Sequence, residues 1–284
     1  MKLHIAMLAA TLLLSGGASY AQGNKQEKKA KAYMVADAHL DTQWNWDVQT
    51  TIKEYVWNTI NQNLFLLKKY PNYVFNFEGG VKYAWMKEYY PAQYEEMKKY
   101  IGEGRWHISG SSWDATDALV PSTESFIRNI MLGQQYYRQE FGVESTDIFL
   151  PDCFGFGWTL PTIASHCGLI GFSSQKLDWR VHPFYGKSKH PFTIGLWKGI
   201  DGSSIMLAHG YDYGRRWNDE DLSENEQLKE LAGRTPLNTV YRYYGTGDID
   251  TGLCPLSGKR TSRKRSGRNC QCNQRPALQR LPSL

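Results

Sequence analysis

The stretch Val35–Trp46, VADAHLDTQWNW, places a histidine, two aspartates and two tryptophans where an apolar run meets a loop. The preceding residues, Ala32–Ala36, predict a short buried strand. His39 and Asp41 are two residues apart, so on extended backbone their side chains leave the same face. A histidine nitrogen beside a carboxylate oxygen suits zinc. By itself, however, the H-x-D pattern favours a structural histidine near a turn.

Downstream of this stretch, strand-like and helix-like segments alternate as far as about residue 210. Strands are predicted at 73–77, 105–108, 147–150, 170–174, 193–197 and 204–208, and helices at 52–70, 81–101, 122–142 and 160–167. Thr51 and Glu54 fit a capping box at the start of the first helix. This alternation predicts an α/β fold with a parallel sheet, open or closed.

Polar residues follow the predicted strands at regular places. Ligand sites of parallel α/β folds form at the carboxyl ends of the strands, which meet at one rim. The residues found there are His39 and Asp41 after the first strand, Glu78 after the second, Trp113 and Asp114 after the third, Asp152 after the fourth, and Gln175 and Lys176 after the fifth. The pattern therefore predicts one site that is built from five strand ends.

Asp152 strengthens this prediction. In FLPDCFGFG, residues 149–157, it is a lone carboxylate at the end of an apolar strand, followed by glycines that permit close backbone approach. A buried aspartate is costly unless it has hydrogen-bond donors, a metal or a catalytic role. It could instead cap the helix that begins near Leu160, but Thr159 is better placed for that role.

Four segments together carry a resemblance to a known family: AHLDTQWNW, GGVKYAWMKEY, GSSWDATDALVPSTESFIRN and LPDCFGFGWTLPTIASHCGLIGFSSQK. In wording and order they resemble the catalytic domain of glycoside hydrolase family 38, the retaining α-mannosidases, in its bacterial form. The resemblance extends from about Ala32 to Asp248. It implies a seven-stranded parallel α/β barrel, one catalytic Zn²⁺ and a mannose-containing glycan as substrate.

The resemblance also implies roles for individual residues. His39, Asp41 and Asp152 would ligate zinc, and Asp152 would also be the nucleophile. Asp248, in the segment YYGTGD, is the candidate general acid. A retaining glycosidase needs two carboxyl groups roughly 5–5.5 Å apart, and zinc with an open coordination position can bind neighbouring sugar hydroxyls.

Four further residues are candidates for contacts with the substrate. The resemblance implies that Trp44 forms an aromatic floor under the sugar ring and that Lys176 is the basic residue near the nucleophile. Trp113 and Asp114 lie at a strand end. A role of Asp114 in binding substrate or the metal ligands competes on equal terms with a purely structural role.

The chain departs from this family after Asp248. Family 38 members are several times longer, and a histidine from further along their chains is a fourth zinc ligand. None of the seven histidines here lies downstream of Asp248. We therefore expect only three zinc ligands and a barrel that is incomplete at its C-terminus. We also expect that the chain on its own folds poorly and has little or no mannosidase activity.

The first residues predict export. Lys2 is followed by an apolar stretch at residues 5–14 and by the small-x-small site Ser19–Ala21, a pattern typical of a secretory signal peptide over residues 1–21. Residues 22–31 are a polar spacer, and residues 32–248 are the predicted catalytic domain. No later stretch is apolar and long enough to span a bilayer. We expect a periplasmic or secreted bacterial protein with no membrane attachment after cleavage.

Residues 249–284 predict a disordered basic tail. The residues from Thr251 to Leu284 contain eight of the 33 Lys and Arg residues and none of the 28 acidic residues. The net charge of +5 therefore comes from the tail. Basic segments can bind nucleic acid, but this one has no interleaved aromatic residues and belongs to an exported chain, so we expect no such partner. Its abrupt change in composition favours a frameshifted or truncated end.

Two alternatives to an α-mannosidase remain open. The tryptophan-rich rim also suits a carbohydrate-binding protein without catalysis. A metal-dependent polysaccharide deacetylase likewise uses Asp and His on an α/β barrel, but its paired-histidine motif H-x-x-x-H is absent here. Zinc content and covalent labelling of Asp152 by a fluorosugar would separate the first alternative from a glycosidase, and release of acetate would identify the second.

Overall fold

The computed structural model describes residues 30–178, 193–209, 222, 225–235 and 237–246, in which strands and helices alternate. The strands are β1 (Lys31–Ala38), β2 (Phe75–Glu78), β3 (Trp106–Ser109), β4 (Asp147–Phe149), β5 (Gly171–Ser174), β6 (Ile194–Lys198), β7 (Ser204–His209) and β8 (Thr239–Thr246). The helices are α1 (Val48–Thr50), α2 (Trp57–Lys69), α3 (Gly80–Tyr89), α4 (Pro91–Gly102), α5 (Thr123–Phe141), α6 (Leu160–His166) and α7 (Glu226–Gly233). A π-helical turn, Thr51–Val56, joins α1 to α2, and a 3₁₀ turn, Lys176–Asp178, follows β5.

Hydrogen-bonded pairing places the described strands in two four-stranded sheets, with the orders β3-β2-β1-β8 and β4-β5-β7-β6. All pairs are parallel except β6 with β7. The predicted α/β fold with parallel strands is therefore confirmed, but the pairing does not show one seven-stranded barrel. The strand β6 is antiparallel because only a short turn, residues 199–203, joins it to β7, and a parallel connection needs a longer crossover.

Side chains of β1 alternate between two apolar environments. Ala36 and Ala38 face the larger core, where they pack with residues of α2, β2 and α4 such as Ile60, Phe77 and Met97. Val35 faces the other side, in a cluster with Phe149 of β4 and with Tyr241 and Tyr243 of β8. Because alternate residues share a face, Asp37 and His39 continue the side of Val35. The end of β1 therefore directs Asp37 and His39 between the sheets, and Ala36 and Ala38 toward the helices.

A second core lies beneath α6 and unites it with the β4–β7 sheet. Its buried members include Ile148, Leu160, Phe172 and Ile205. The helix α5, which also contributes to this core, begins at the N-cap Ser122, whose hydroxyl accepts a hydrogen bond from Ser125 N at 3.2 Å. In the described part of the chain, no helix combines the length and the apolar character that crossing a membrane requires.

The predicted capping box is wrong. The helical segment begins earlier, at Asp47, whose carboxylate accepts a hydrogen bond from Thr50 N at 2.8 Å. Thr51 lies within the helical segment, and its hydroxyl donates to Thr42 O at 2.8 Å and accepts from Trp46 Nε1 at 2.8 Å. Thr159 occupies the N-cap position of α6 as predicted, but its side chain makes no capping hydrogen bond. For Thr51, the contacts with Thr42 and Trp46 decide where the hydroxyl points.

Candidate active site

The end of β1 brings together the two residues that the sequence predicted as a pair. His39 is buried and Asp41 is partly exposed, and His39 Nε2 lies 3.5 Å from Asp41 Oδ1. The other ring nitrogen, Nδ1, lies 3.0 Å from Glu78 Oε1 at the end of β2. The neighbouring strand thus supplies a carboxylate that orients the imidazole, while Nε2 is directed toward Asp41.

A buried ammonium completes this arrangement. Lys82, in the first turn of α3, is fully buried, and its Nζ lies 3.4 Å from Glu78 Oε1. Burial opposes ionisation of Glu78, but the Lys82 ammonium and the hydrogen bond with His39 outweigh burial, so the pKa of Glu78 lies below its ordinary value. Glu78 is therefore a carboxylate held between two cationic or proton-donating groups.

The two carboxylates beside His39 determine its protonation. Burial alone would lower the pKa of His39, but the hydrogen bonds with Asp41 and Glu78 outweigh burial and raise this pKa to about 10. A proton on Nε2 thus compensates the negative charge of Asp41. A divalent cation between Nε2 and the Asp41 carboxylate would provide the same compensation, so these two residues fit a metal chemically.

Asp152 lies in the turn after β4, with its side chain about one quarter exposed, at 24%. Its Oδ1 forms an ion pair with Nζ of Lys176, a side chain that is almost completely buried. The 3₁₀ turn after β5 places Lys176, whose backbone N donates to Ser174 Oγ at 3.1 Å. The ammonium also lies 4.4 Å from the centroid of the Phe154 ring, a cation–π contact. The carboxylate is therefore held firmly and still reaches solvent.

The loop after β4 and the end of β2 lie on the same side of the molecule. Burial, together with the negative charges of Glu78, Asp117 and Asp152, raises the pKa of the Cys153 thiol to about 12. The Cys153 thiol donates to Thr116 O at 2.8 Å.

In the part of the chain that the structure describes, however, no group of three or more His, Cys, Asp or Glu side chains is arranged to hold a metal ion. His39 and Asp41 meet, whereas Asp152 pairs with Lys176.

The other predicted site residues differ in their surroundings. Trp44 is 60% exposed in the loop after Asp41, with its ring edge-to-face against Trp46 at a centroid distance of 5.9 Å. Asp114 accepts hydrogen bonds from Thr42 Oγ1 at 2.7 and 2.8 Å, which join the loops after β3 and β1. Trp113 packs so tightly on α3 that a β-carbon at Gly80 would lie 2.8 Å from its Cε3. Trp44 therefore presents an open face, whereas Asp114 and Trp113 tie loops together. Asp248 lies outside the described residues.

Sequence reasoning missed two residues of this region. Lys82 follows Glu78 by four residues across the turn from β2 into α3, and a lysine this close in sequence to an acid at a strand end was the available signal. Asp37 precedes His39 by two residues on the same strand face, and it is buried, with neither carboxylate oxygen hydrogen bonded to a described residue. Burial raises the pKa of Asp37 well above its ordinary value. The signal for Asp37 was a single acid within an apolar strand.

Comparison with known proteins identifies relatives. The family described as Glycosyl hydrolases family 38 N-terminal domain matches residues 29–271. Alpha-mannosidase G of Dictyostelium discoideum is 34% identical over 183 residues, which cover 64% of this chain and 16% of that protein. Alpha-mannosidase 2C1 of Homo sapiens is 28% identical over 225 residues, which cover 78% of this chain and 21% of that protein. The chain spans about a fifth or less of the length of these curated relatives.

Solved structures show the same fold. An alpha-mannosidase from Enterococcus faecalis V583 matches with a TM-score of 0.66 at 20% identity, over 79% of this chain and 26% of that chain. A 4-alpha-glucanotransferase from Thermococcus litoralis matches with a TM-score of 0.56 at 14% identity, over 78% of this chain and 34% of that chain. At such identities the likeness concerns the fold alone. Because the family match covers most of the sequence, this chain belongs to glycosyl hydrolase family 38 and contains the N-terminal domain of that family.

Proposed function

We propose that this chain carries the nucleophile side of a zinc-dependent, retaining α-mannosidase that hydrolyses terminal α-mannosides of glycans. Membership of family 38 and relatives that are named alpha-mannosidases support this proposal. The observation that carries it is the partly exposed Asp152 carboxylate, which a nearly buried ammonium, that of Lys176, holds at the carboxyl end of a strand. A carboxylate that is fixed yet accessible is what attack on a sugar requires.

The reaction has two steps. An oxygen of Asp152 attacks the anomeric carbon of the mannoside and forms a glycosyl ester, while the bond to the leaving oxygen breaks and a general acid protonates that oxygen. Water then attacks the same carbon, gives a proton to the residue that acted as acid, and releases mannose and free Asp152. Asp248 is the proposed acid. Lys176 holds the attacking carboxylate in place during both steps, and Trp44 offers its exposed ring as a platform for the sugar.

Zinc is the proposed cofactor, held by His39 and Asp41 together with Asp152. Bound there, zinc would supply Lewis-acid polarisation and a position for the hydroxyls of the sugar. Two features of the chain support it: the imidazole nitrogen and carboxylate oxygen lie 3.5 Å apart, and Glu78 orients the ring from its other nitrogen, as carboxylates commonly do for histidine ligands.

We further propose that the two sheets are parts of one seven-stranded barrel. Among the strands that the structure describes, seven have a parallel partner, and β6 pairs with β7 in the antiparallel direction. Just beyond β3, Ser111 N donates to Asp147 O of β4 at 3.0 Å. The Ser173 hydroxyl of β5 donates to the Tyr241 hydroxyl of β8 at 3.3 Å. Both contacts join one sheet to the other and therefore support their closure into one barrel. Export, directed by residues 1–21, is proposed on the sequence pattern alone.

The purified chain tests the proposal directly. Zinc content is measured by mass spectrometry, hydrolysis by release of 4-nitrophenol from 4-nitrophenyl α-mannoside, and labelling with an activated 5-fluoromannosyl fluoride followed by peptide mapping. We expect one zinc per chain, slow hydrolysis that Asp152→Asn removes, and the mass shift of a 5-fluoromannosyl group on the peptide that contains Asp152. A control variant, Asp201→Asn, changes a carboxylate of the β6–β7 turn and leaves the labelling intact.

The same experiments distinguish the alternatives. A carbohydrate-binding protein without catalysis would bind mannosides but would neither release nitrophenol nor become labelled. A deacetylase would release acetate from acetylated glycans and leave the mannoside intact. Labelling at a carboxylate other than Asp152, or turnover that survives Asp152→Asn, would contradict the proposed nucleophile.

A further inference from the structure

The buried side of the candidate site contains three interacting groups in series. His39 Nδ1 lies 3.0 Å from Glu78 Oε1, and Lys82 Nζ lies 3.4 Å from the same oxygen. Their side chains are 4%, 3% and 0% exposed, in that order. Solvent therefore contributes little to this arrangement, and the protein alone sets where each group lies.

The position of Lys82 is set by the turn from β2 into α3. Gly79 has a φ of 87°, which lets the chain leave β2 and enter the helix at once. A β-carbon at Gly79 would lie 3.3 Å from Lys82 Nζ, so this glycine also leaves room for the ammonium. The ring of Phe77 borders the slot, with its centroid 5.7 Å from Nζ. Lys82 is therefore confined beside Glu78.

A fully buried lysine is costly to retain. Removing an ammonium from water is unfavourable unless a paired charge and hydrogen bonds compensate, and well-packed apolar residues can often replace such a pair without loss of stability. Because Lys82 lies next to the candidate site, we infer that it has a role beyond stability. The χ2 torsion of histidine, which sets the orientation of the ring, has broad minima. A hydrogen-bond partner is therefore needed to select one orientation.

We propose that Lys82 is a positioning residue of the candidate active site: its ammonium holds the Glu78 carboxylate, which fixes the His39 ring with Nε2 toward Asp41. The inference rests on the proposed function only in assigning this ring to the active site. Lys82 itself touches neither substrate nor metal. Its effect passes through Glu78, whose single oxygen Oε1 contacts both partners.

The test compares three variants of the full chain. Lys82→Met removes the ammonium, and the double variant Glu78→Met with Lys82→Met removes both charges at similar volume, which keeps the fold testable if the single variant unfolds. Lys87→Met is the matched control, since Lys87 lies on the same helix and pairs with Glu140 at 2.6 Å on the surface.

The primary measurement is the ring N–H proton of His39, observed by ¹⁵N-edited NMR of the zinc-free protein. We expect a slowly exchanging signal in the original chain and in Lys87→Met, its loss in the double variant, and exchange at least about 10-fold faster in Lys82→Met. The second measurement is the Zn²⁺ dissociation constant by competition with a coloured chelator, which we expect to rise about 10–100-fold in the double variant.

Two results would overturn the inference. One is an unchanged His39 ring proton in folded Lys82→Met or in the folded double variant, and the other is an equal loss of that signal in Lys87→Met. A purely structural role would change only the stability and leave the ring signal in place. If the ring proton responds as expected but the original chain neither hydrolyses the mannoside nor becomes labelled at Asp152, the positioning role stands and the proposed function fails.

Discussion

The two halves of the candidate site are built on different principles. The His39 half is buried, and its contacts join the end of β1 to β2 and α3. The Asp152 half lies in turns after β4 and β5, and its carboxylate remains partly exposed. Each half sets a carboxylate against a lysine, but one carboxylate orients a ring whereas the other faces outward. The buried carboxylate, that of Glu78, therefore positions another side chain, whereas the partly exposed carboxylate of Asp152 can react.

The largest effect is expected where the exposed half is broken. Asp152→Asn removes the attacking oxygen, so we expect hydrolysis of 4-nitrophenyl α-mannoside to fall at least about 10³-fold. Lys176→Met keeps the nucleophile but releases it, and a smaller loss is expected. Initial rates at saturating substrate measure both. Equal activity of Asp152→Asn and the original chain would remove the distinction between the two halves.

The next effect concerns metal at the buried half. Zinc at 100 times its dissociation constant should stabilise the chain by about 2.7 kcal/mol, because a ligand that binds only the folded state shifts the folding equilibrium. His39→Gln should abolish this gain. Thermal and urea unfolding, each with zinc and with a chelator, measure it. A full zinc effect in His39→Gln would place the metal elsewhere.

The pH dependence of stability reports on the charge of the buried half. In the zinc-free chain the pKa of His39 is about 10 in the folded state, against roughly 6.5 when unfolded. Because the folded pKa is the higher one, this histidine stabilises the fold fully below pH 6.5 and loses that contribution as pH rises toward 10. The difference in unfolding free energy between the original chain and His39→Gln should therefore shrink over that range.

Urea unfolding at pH 6, 8 and 10 tests this dependence. The variant Asp41→Asn should flatten it, since Asp41 is one of the two carboxylates that raise the pKa of His39. Glu78 does not contribute to the change in unfolding free energy over this range. Because its pKa is lowered in the folded state, its contribution to stability is lost only as pH falls into the acid range. A difference that grows as pH rises would contradict the assigned charge.

The smallest effect is expected at the rim. Trp44→Ala removes a stacking face that contributes about 0.5–1.5 kcal/mol, so we expect KM for the aryl mannoside to rise roughly 2–13-fold with little change in kcat. Phe65→Ala is the control, since Phe65 is an exposed aromatic residue of α2 at 50% exposure. Identical KM values for the two variants would exclude the proposed sugar platform.

The strand ends could be predicted because an apolar run followed by polar residues marks the carboxyl end of a buried strand. His39, Glu78 and Asp152 were found in this way, and each lies just past or at the end of its strand. The partnership of Lys176 with Asp152 was suggested by the family resemblance. The partnership of Lys82 with Glu78 was not anticipated, because a lysine in the first turn of a helix is usually exposed, and nothing local distinguishes the one that is buried.

Local chemistry along the chain was sufficient for the alternation of strands and helices as far as β7, for the family, and for the pairing of His39 with Asp41. The helix α7 and the strand β8 were not predicted in that alternation. Contacts between distant segments produce four other features: the division of the eight described strands into two sheets, the antiparallel β6, the N-cap at Asp47 and the buried ammonium beside Glu78. Burial is a property of the assembled layers. Burial determines which charged side chains lose their water and therefore need a partner within the protein.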